Sequence, residues 1–124
     1  LREDLIDQTA KVVRTLNPIP RTVILFGSLA RGMRDFRDVD LLCVVAKGNE
    51  KIVVHDRIAE TFEKVRRRYK VPVSAVVATE AELRSPSLTS VVTEARRDGI
   101  LLAGTAPTVL QGVRVWSHAH PHAA

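Results

Sequence analysis

The sequence predicts an α/β domain. Three observations point there: helix and strand patterns alternate along the chain, the strand candidates are short β-branched apolar runs, and proline or glycine marks most of the joins. The order from the N-terminus is α-β-α-β-α-β-α-β, which gives a sheet of three or four strands. At 124 residues the chain fits one domain, and its 45% apolar content argues against disorder over most of the length.

Residues 2–16 read as an amphipathic helix, with Leu5, Val12 and Leu16 at helical spacing and Asp4, Asp7, Lys11 and Arg14 between them. Pro18 and Pro20 stop it. Residues 22–26 (TVILF) form a buried strand that Gly27-Ser28 breaks, and Leu29 to Met33 can start a short helix. Residues 39–45 (VDLLCVV) are a second strand, apolar on both faces apart from Asp40, and Gly48-Asn49 turns the chain. Residues 51–69 make the clearest helix, because Val54, Ile58, Phe62, Val65 and Tyr69 share one face. Residues 72–78 (PVSAVVA) give a third strand. Residues 87–98 give a helix with Leu88, Val91, Val92 and Ala95 on one stripe, and Gly99 suits its C-terminal cap. Ile100-Leu101-Leu102 adds a short fourth strand. The domain is expected to span 1–104. Residues 105–124, with Pro107, Gly112 and Pro121, read as a tail ordered at most through Val113, Val115 and Trp116.

The composition narrows the function. No apolar run approaches the ~20 residues that cross a bilayer, and the charged, helical start LREDLIDQ is not a secretory signal. A lone cysteine, Cys43, lies in an apolar run and is expected to be buried and inert, which favours a cytoplasmic location. The net charge of +5 is carried mostly by arginine, and it suits phosphate-rich ligands as well as nucleic acid. No basic stripe is interleaved with aromatics, which are only 4% of the chain, so nucleic acid is the less favoured partner. Arg66-Arg67-Arg68 reads as a solvated helix face, and His55 as helix surface. His118, His120 and His122 alternate near the C-terminus, where a tail is a simpler reading than a metal site.

The informative stretch runs from Ile24 to Val45. A strand enters Gly27-Ser28 and a helical turn follows. Glycine allows close backbone approach to a phosphate, and the amides of a helix start favour anions. The Ser28 hydroxyl can add a hydrogen bond. Asp38-Val39-Asp40 then places two carboxylates on one side of a strand, since alternate residues share a face. Two adjacent carboxylates repel unless a cation lies between them, and hard oxygen ligands suit Mg²⁺. An acid opening a buried strand otherwise needs a partner such as Arg31, Arg34 or Arg37. A Gly-Ser turn or an Asp-x-Asp alone means little; it is the combination that carries information.

These residues resemble the signature of the DNA polymerase beta-like nucleotidyltransferase superfamily, and most of all its minimal nucleotidyltransferase (MNT) branch. Gly27, Ser28, Ala30, Arg31, Gly32, Asp38 and Asp40 match its pattern, and a looser similarity extends to about Gly104 through Arg97-Asp98-Gly99-Ile100-Leu101-Leu102. The resemblance implies a nucleotidyltransferase fold, with a small mixed sheet of three to four strands flanked by helices. It implies catalytic Asp38 and Asp40 holding Mg²⁺ against the triphosphate of ATP or another nucleoside triphosphate. Gly27 and Ser28 would grip the outer phosphates; Arg31 is counted with the nucleotide-binding residues, although bracing the loop is its more natural role. It further implies transfer of a nucleotide, AMP from ATP foremost, to a hydroxyl acceptor. Small stand-alone members resemble antitoxins whose acceptor lies on a HEPN-domain toxin partner.

The chain departs from that pattern at the third strand. Active members resembling it carry a third carboxylate there, as metal ligand or base, and Ser74 holds the position. Glu80 and Glu82 lie just beyond. The Ser28–Asp38 gap is one residue short, and Arg37 replaces a frequent serine. The alternative to an enzyme is therefore a catalytically weakened binding module that acts by protein–protein interaction. A nucleic-acid binder using Arg66–Arg68 and Arg96-Arg97 ranks third.

Overall fold

The computed structural model describes residues 2–117 and the backbone of Pro121–His122; His118, His120 and the His122 side chain lie outside the described residues. Helix α1 (Arg2–Val13) leads into β1 (Thr22–Phe26), a single-turn helix α2 (Gly27–Ala30) and β2 (Val39–Val45). Helices α3 (Lys51–Thr61) and α4 (Glu63–Tyr69) follow, then β3 (Val73–Thr79), α5 (Thr89–Asp98) and β4 (Ile100–Gly104). Two short strands, β5 (Arg114–Trp116) and β6 (Pro121–His122), complete the sheet.

The sheet order is β3-β2-β1-β4-β5-β6. β1 is antiparallel to both β2 and β4, whereas β2 pairs parallel with β3 and β4 with β5, so the sheet is mixed. It has six strands among the described residues rather than the three or four expected. The extra two come from the segment read as a tail, where three residues between turns are too short for a period to register.

The central strands β1 and β2 read as nearly unbroken apolar runs because both faces are covered. On one face Val23, Leu25, Leu41 and Cys43 meet Leu5, Ile6 and Val13 of α1, Val54 and Ile58 of α3, Val65 of α4 and Phe62 between those two helices. On the other, Ile24, Phe26, Leu42 and Val44 meet Val92 and Ala95 of α5, with Leu83, Leu110 and Val113. Burial pushes the Cys43 thiol up to about 12, which keeps it protonated and inert. Among the described residues no helix is long and apolar enough to cross a membrane.

Several boundaries differ from expectation. α1 ends at Val13, where the chain tightens: the N–H groups of Thr15 and Leu16 donate three residues back, to Val12 O at 3.0 Å and Val13 O at 3.3 Å. The long helix is split at Phe62 (φ −86°, ψ 1°). Phe62 N–H still reaches Ile58 O at 3.0 Å and Arg66 N–H reaches Phe62 O at 2.9 Å, so the apolar face continues across the joint. Gly99 does end α5, but with φ −64° instead of a left-handed cap. Its reason is space: a Cβ there would overlap the Ala95 carbonyl oxygen and lie 2.9 Å from a methyl of Ile24.

Trp116 is 2% exposed and packs with the α1 side of the core, its indole Nε1–H donating to Asp7 Oδ1 at 3.2 Å. Truncating a buried tryptophan costs about 3–5 kcal/mol. Trp116→Ala is therefore expected to lower unfolding free energy by about 3 kcal/mol or more in a denaturant titration. An unchanged midpoint would mean that the chain after Gly104 is an appendage to the domain.

Candidate active site

β1 delivers the chain to the site fully buried, and Phe26 pairs with Asp40 at the end of the β1–β2 ladder. The chain leaves the sheet at Gly27, whose φ of +81° is a left-handed conformation that side chains rarely adopt. Space also demands glycine: a Cβ at Gly27 would overlap Asp40 Oδ2 and lie 3.2 Å from the carboxyl carbon. The turn and the carboxylate thus occupy one confined spot. α2 is closed by Arg31 N–H to Gly27 O, Gly32 N–H to Leu29 O and Met33 N–H to Ser28 O, each at 3.1 Å. The N–H groups opening a helical turn have no partner within it, so those of this turn suit an anion.

Gly27→Val should damage both the fold and the site. A β-branched side chain at positive φ costs of order 1–3 kcal/mol, and overlap with Asp40 adds a similar penalty. The expected loss is about 2–4 kcal/mol in a denaturant titration, together with loss of nucleotide affinity by calorimetry. A variant of unaltered stability would contradict the turn geometry.

Asp38 lies just before β2 and Asp40 is its second residue; both are half-buried. Burial pushes the Asp40 carboxyl above its ordinary value. The neighbouring charges of Asp38 and Glu94 push it further, and Arg31 pulls the other way. Two acids held together, one of them partly desolvated, form a donor set that a hard cation would relieve. Among the described residues no third His, Cys, Asp or Glu joins them in a metal-binding group. A pair fits Mg²⁺, which is typically held by one or two carboxylates with the remaining positions left to water and substrate phosphates.

The Arg31 guanidinium reaches α5, where it lies 3.6 Å from Glu94 and 4.0 Å from Asp98, while its charge still acts on Asp40. Its pairing is therefore with the helix that backs the turn. Arg2 was not singled out from the sequence. Its guanidinium donates to Leu29 O at 2.9 Å and Ala30 O at 3.0 Å, which satisfies the trailing carbonyls of α2 and ties α1 to the site. Glu94 was also missed, since only the apolar stripe of its helix carried a readable period.

Ser74 is the register partner of Asp40 across the parallel β2–β3 pair. Partners in adjacent strands face the same side, so Ser74 is exposed beside Asp40, as strand alternation predicts. Glu80 and Glu82 do not reach this place. They follow the far end of β3, where Thr79 pairs with Val45. Glu82 is engaged by Lys51 Nζ at 2.7 Å and by the Thr79 amide, and the Lys51 bond foremost holds its carboxyl down to about 2.

Residues 6–98 match the profile of the nucleotidyltransferase domain. No curated protein matches the chain significantly. Among solved structures, the chain is similar to one of a toxin–antitoxin with AMP-PNP, at 25% identity and TM-score 0.53, covering 81% of this chain and 73% of that one. Two further likenesses support the fold. A mutant of the MntA–HpeT toxin–antitoxin aligns at 23% identity and TM-score 0.56, covering 81% and 73%. A tri-AMPylated Shewanella oneidensis HEPN toxin in complex with an MNT antitoxin aligns at 23% and 0.53, covering 85% and 74%. The profile match spans three quarters of the chain, including the turn and both aspartates, so the chain belongs to the nucleotidyltransferase domain family.

Proposed function

We propose that this protein transfers AMP from ATP to a hydroxyl group on a HEPN-type toxin partner, in the manner of an antitoxin. The observation that carries the reading is the close approach of the Asp40 carboxylate to the Gly27 turn, which leaves no room for a Cβ at Gly27, with the charge of Asp38 acting on the same carboxylate. Phosphate grip and cation ligands then meet at one point. Toxin–antitoxin complexes among the similar structures, one with AMP-PNP and one with an AMPylated HEPN toxin, support the choice of nucleotide and partner.

In this reading Asp38 and Asp40 hold Mg²⁺, which would polarise the phosphates and offset charge on the departing pyrophosphate. The amides at Gly27 and Ser28 and the Ser28 hydroxyl orient the outer phosphates. Arg31, held by Glu94 and Asp98, braces the turn. The acceptor oxygen bonds to the α-phosphorus while the bond from that phosphorus to the bridging oxygen of the β-phosphate breaks. Pyrophosphate leaves, and the hydroxyl proton passes to solvent, because Ser74 is a poor base.

The second reading, a binding module without effective turnover, is favoured by that same Ser74 at the register position next to Asp40. Incubating the protein with α-labelled ATP, Mg²⁺ and a HEPN-domain toxin separates the two. Label on the toxin, lost when Mg²⁺ is chelated, is the expected result. A stable unlabelled complex would favour the binding module.

A further inference from the structure

β3 is an edge strand, since it pairs only with β2 among the described residues. Its seven residues, VSAVVAT, contain no charge and no proline. Long apolar edges are normally blunted by lysine, proline or a bulge, because an open edge templates pairing with another chain. This one is not, and Val73, Ala75 and Val77 are only partly buried against the core.

A grooved surface lies beside the edge, with three hollows bordered by α3, α4 and β3 or the chain just before it. At the far end Ile52, His55 and Val77 border about 270 Å³. In the middle Ala59, Phe62 and Val73 border about 220 Å³. At the end nearest the aspartates Arg66, Arg67, Lys70 and Pro72 border about 460 Å³. The groove's lining is mainly apolar, with Lys51, Asp56, Glu63 and Arg66 at its rim, and at the far end Ile52 is 76% exposed, next to the partly exposed Val53. It is positive at the near end, where Arg66 and Arg67 share one carboxylate, Glu63, at 2.9 and 3.1 Å.

We propose that this edge and groove dock an extended segment of the partner protein, added to the sheet as a strand beside β3. The segment is apolar over most of its length and acidic where it meets Arg66, Arg67 and Lys70. The basic end favours an acidic occupant over a second copy, which would bring a further net charge of +5 towards it. Main-chain pairing supplies affinity and the cavities supply specificity, as in other strand-addition interfaces. Strand geometry connects the groove to the site. Alternate side chains of the added strand enter the groove, and the others emerge on the face of Ser74 and Asp40. Resting on the transferase reading, one of the latter side chains carries the acceptor hydroxyl; the docking itself does not depend on that reading.

The test uses the full chain and a HEPN-domain toxin. Two surface variants, Ile52→Glu and Arg67→Glu/Lys70→Glu, are each expected to weaken the complex at least ~10-fold. Affinity for ATP with Mg²⁺ should stay unchanged, and amide exchange in residues 73–79 should slow when the complex forms. Failure of both variants to change affinity, or absence of any complex, overturns the proposal. So does a self-associated free protein that Ile52→Glu renders monomeric, which would assign the edge to a second copy. Loss of binding to a single-stranded RNA probe in the charge-reversed variant, without loss of partner affinity, would assign the basic end to nucleic acid and overturn it too. AMP transfer is scored separately. A complex weakened by these variants but never labelled rejects the transferase and keeps the dock; efficient labelling untouched by them does the reverse.

Discussion

Asp40→Asn is expected to abolish Mg²⁺-dependent nucleotide transfer while making the free protein more stable at neutral pH. On the transferase reading, loss of a cation ligand would remove several kcal/mol of charge stabilisation, or roughly 10³-fold in rate. The stability gain follows from the raised carboxyl pKa, caused by burial first and then by Asp38 and Glu94. Between the ordinary value of 3.8 and the raised one, the folded state keeps a proton that the unfolded state has released. Stability from this group therefore falls as pH rises through that window, and the wild type bears the full penalty above it. Asparagine bears none. The melting-temperature gain should be absent below 3.8, grow through the window and be complete at neutral pH. Calorimetry checks the other half: unchanged affinity for ATP with Mg²⁺ would reject the site, and a stability gain independent of pH would reject its electrostatics.

The parts of this molecule that were legible in the sequence are those governed by local periodicity. TVILF and VDLLCVV read as strands because both faces are buried, and Val54, Ile58, Phe62 and Val65 read as one helix face because 3.6-residue spacing survives the break at Phe62. Gly27, Asp38 and Asp40 were legible because the turn and the start of the next strand lie close in sequence. Contacts set by topology were not. Arg2 reaches Leu29 and Ala30 across 27 and 28 residues, and Arg31 finds Glu94 and Asp98 only because α5 packs over the β1–α2 junction. No spacing rule encodes such pairs. β5 was invisible for another reason: Arg114-Val115-Trp116 is too short for alternation to show, and its single buried residue gains a partner, Asp7, from the opposite end of the chain. Gly99 caps α5 as its position suggests, and what requires glycine there is space, since a Cβ would overlap the Ala95 carbonyl oxygen and crowd Ile24.

Ser74→Asp is expected to increase AMP transfer by at least ~10-fold, with ~10²–10⁴ as the full range for general-base assistance. The geometry is favourable, because Ser74 is paired with Asp40 in the parallel ladder and stands exposed on the same face. A carboxylate there would sit one strand spacing, about 4.8 Å, from β2. It could accept the acceptor proton or complete a three-carboxylate cation site that the described residues do not otherwise contain. The substitution has a predictable side effect. A third negative charge beside Asp38 and Asp40 raises their mutual repulsion, so the variant should melt lower than wild type without Mg²⁺ and recover when the cation is added. That pattern distinguishes the two roles. If the new carboxylate binds the cation, the Mg²⁺ concentration for half-maximal rate falls; if it acts only as a base, that concentration holds and the rate acquires a new acidic limb. A stable variant that shows neither change and transfers no faster would mean that more than one catalytic part is missing, and the binding-module reading would take precedence.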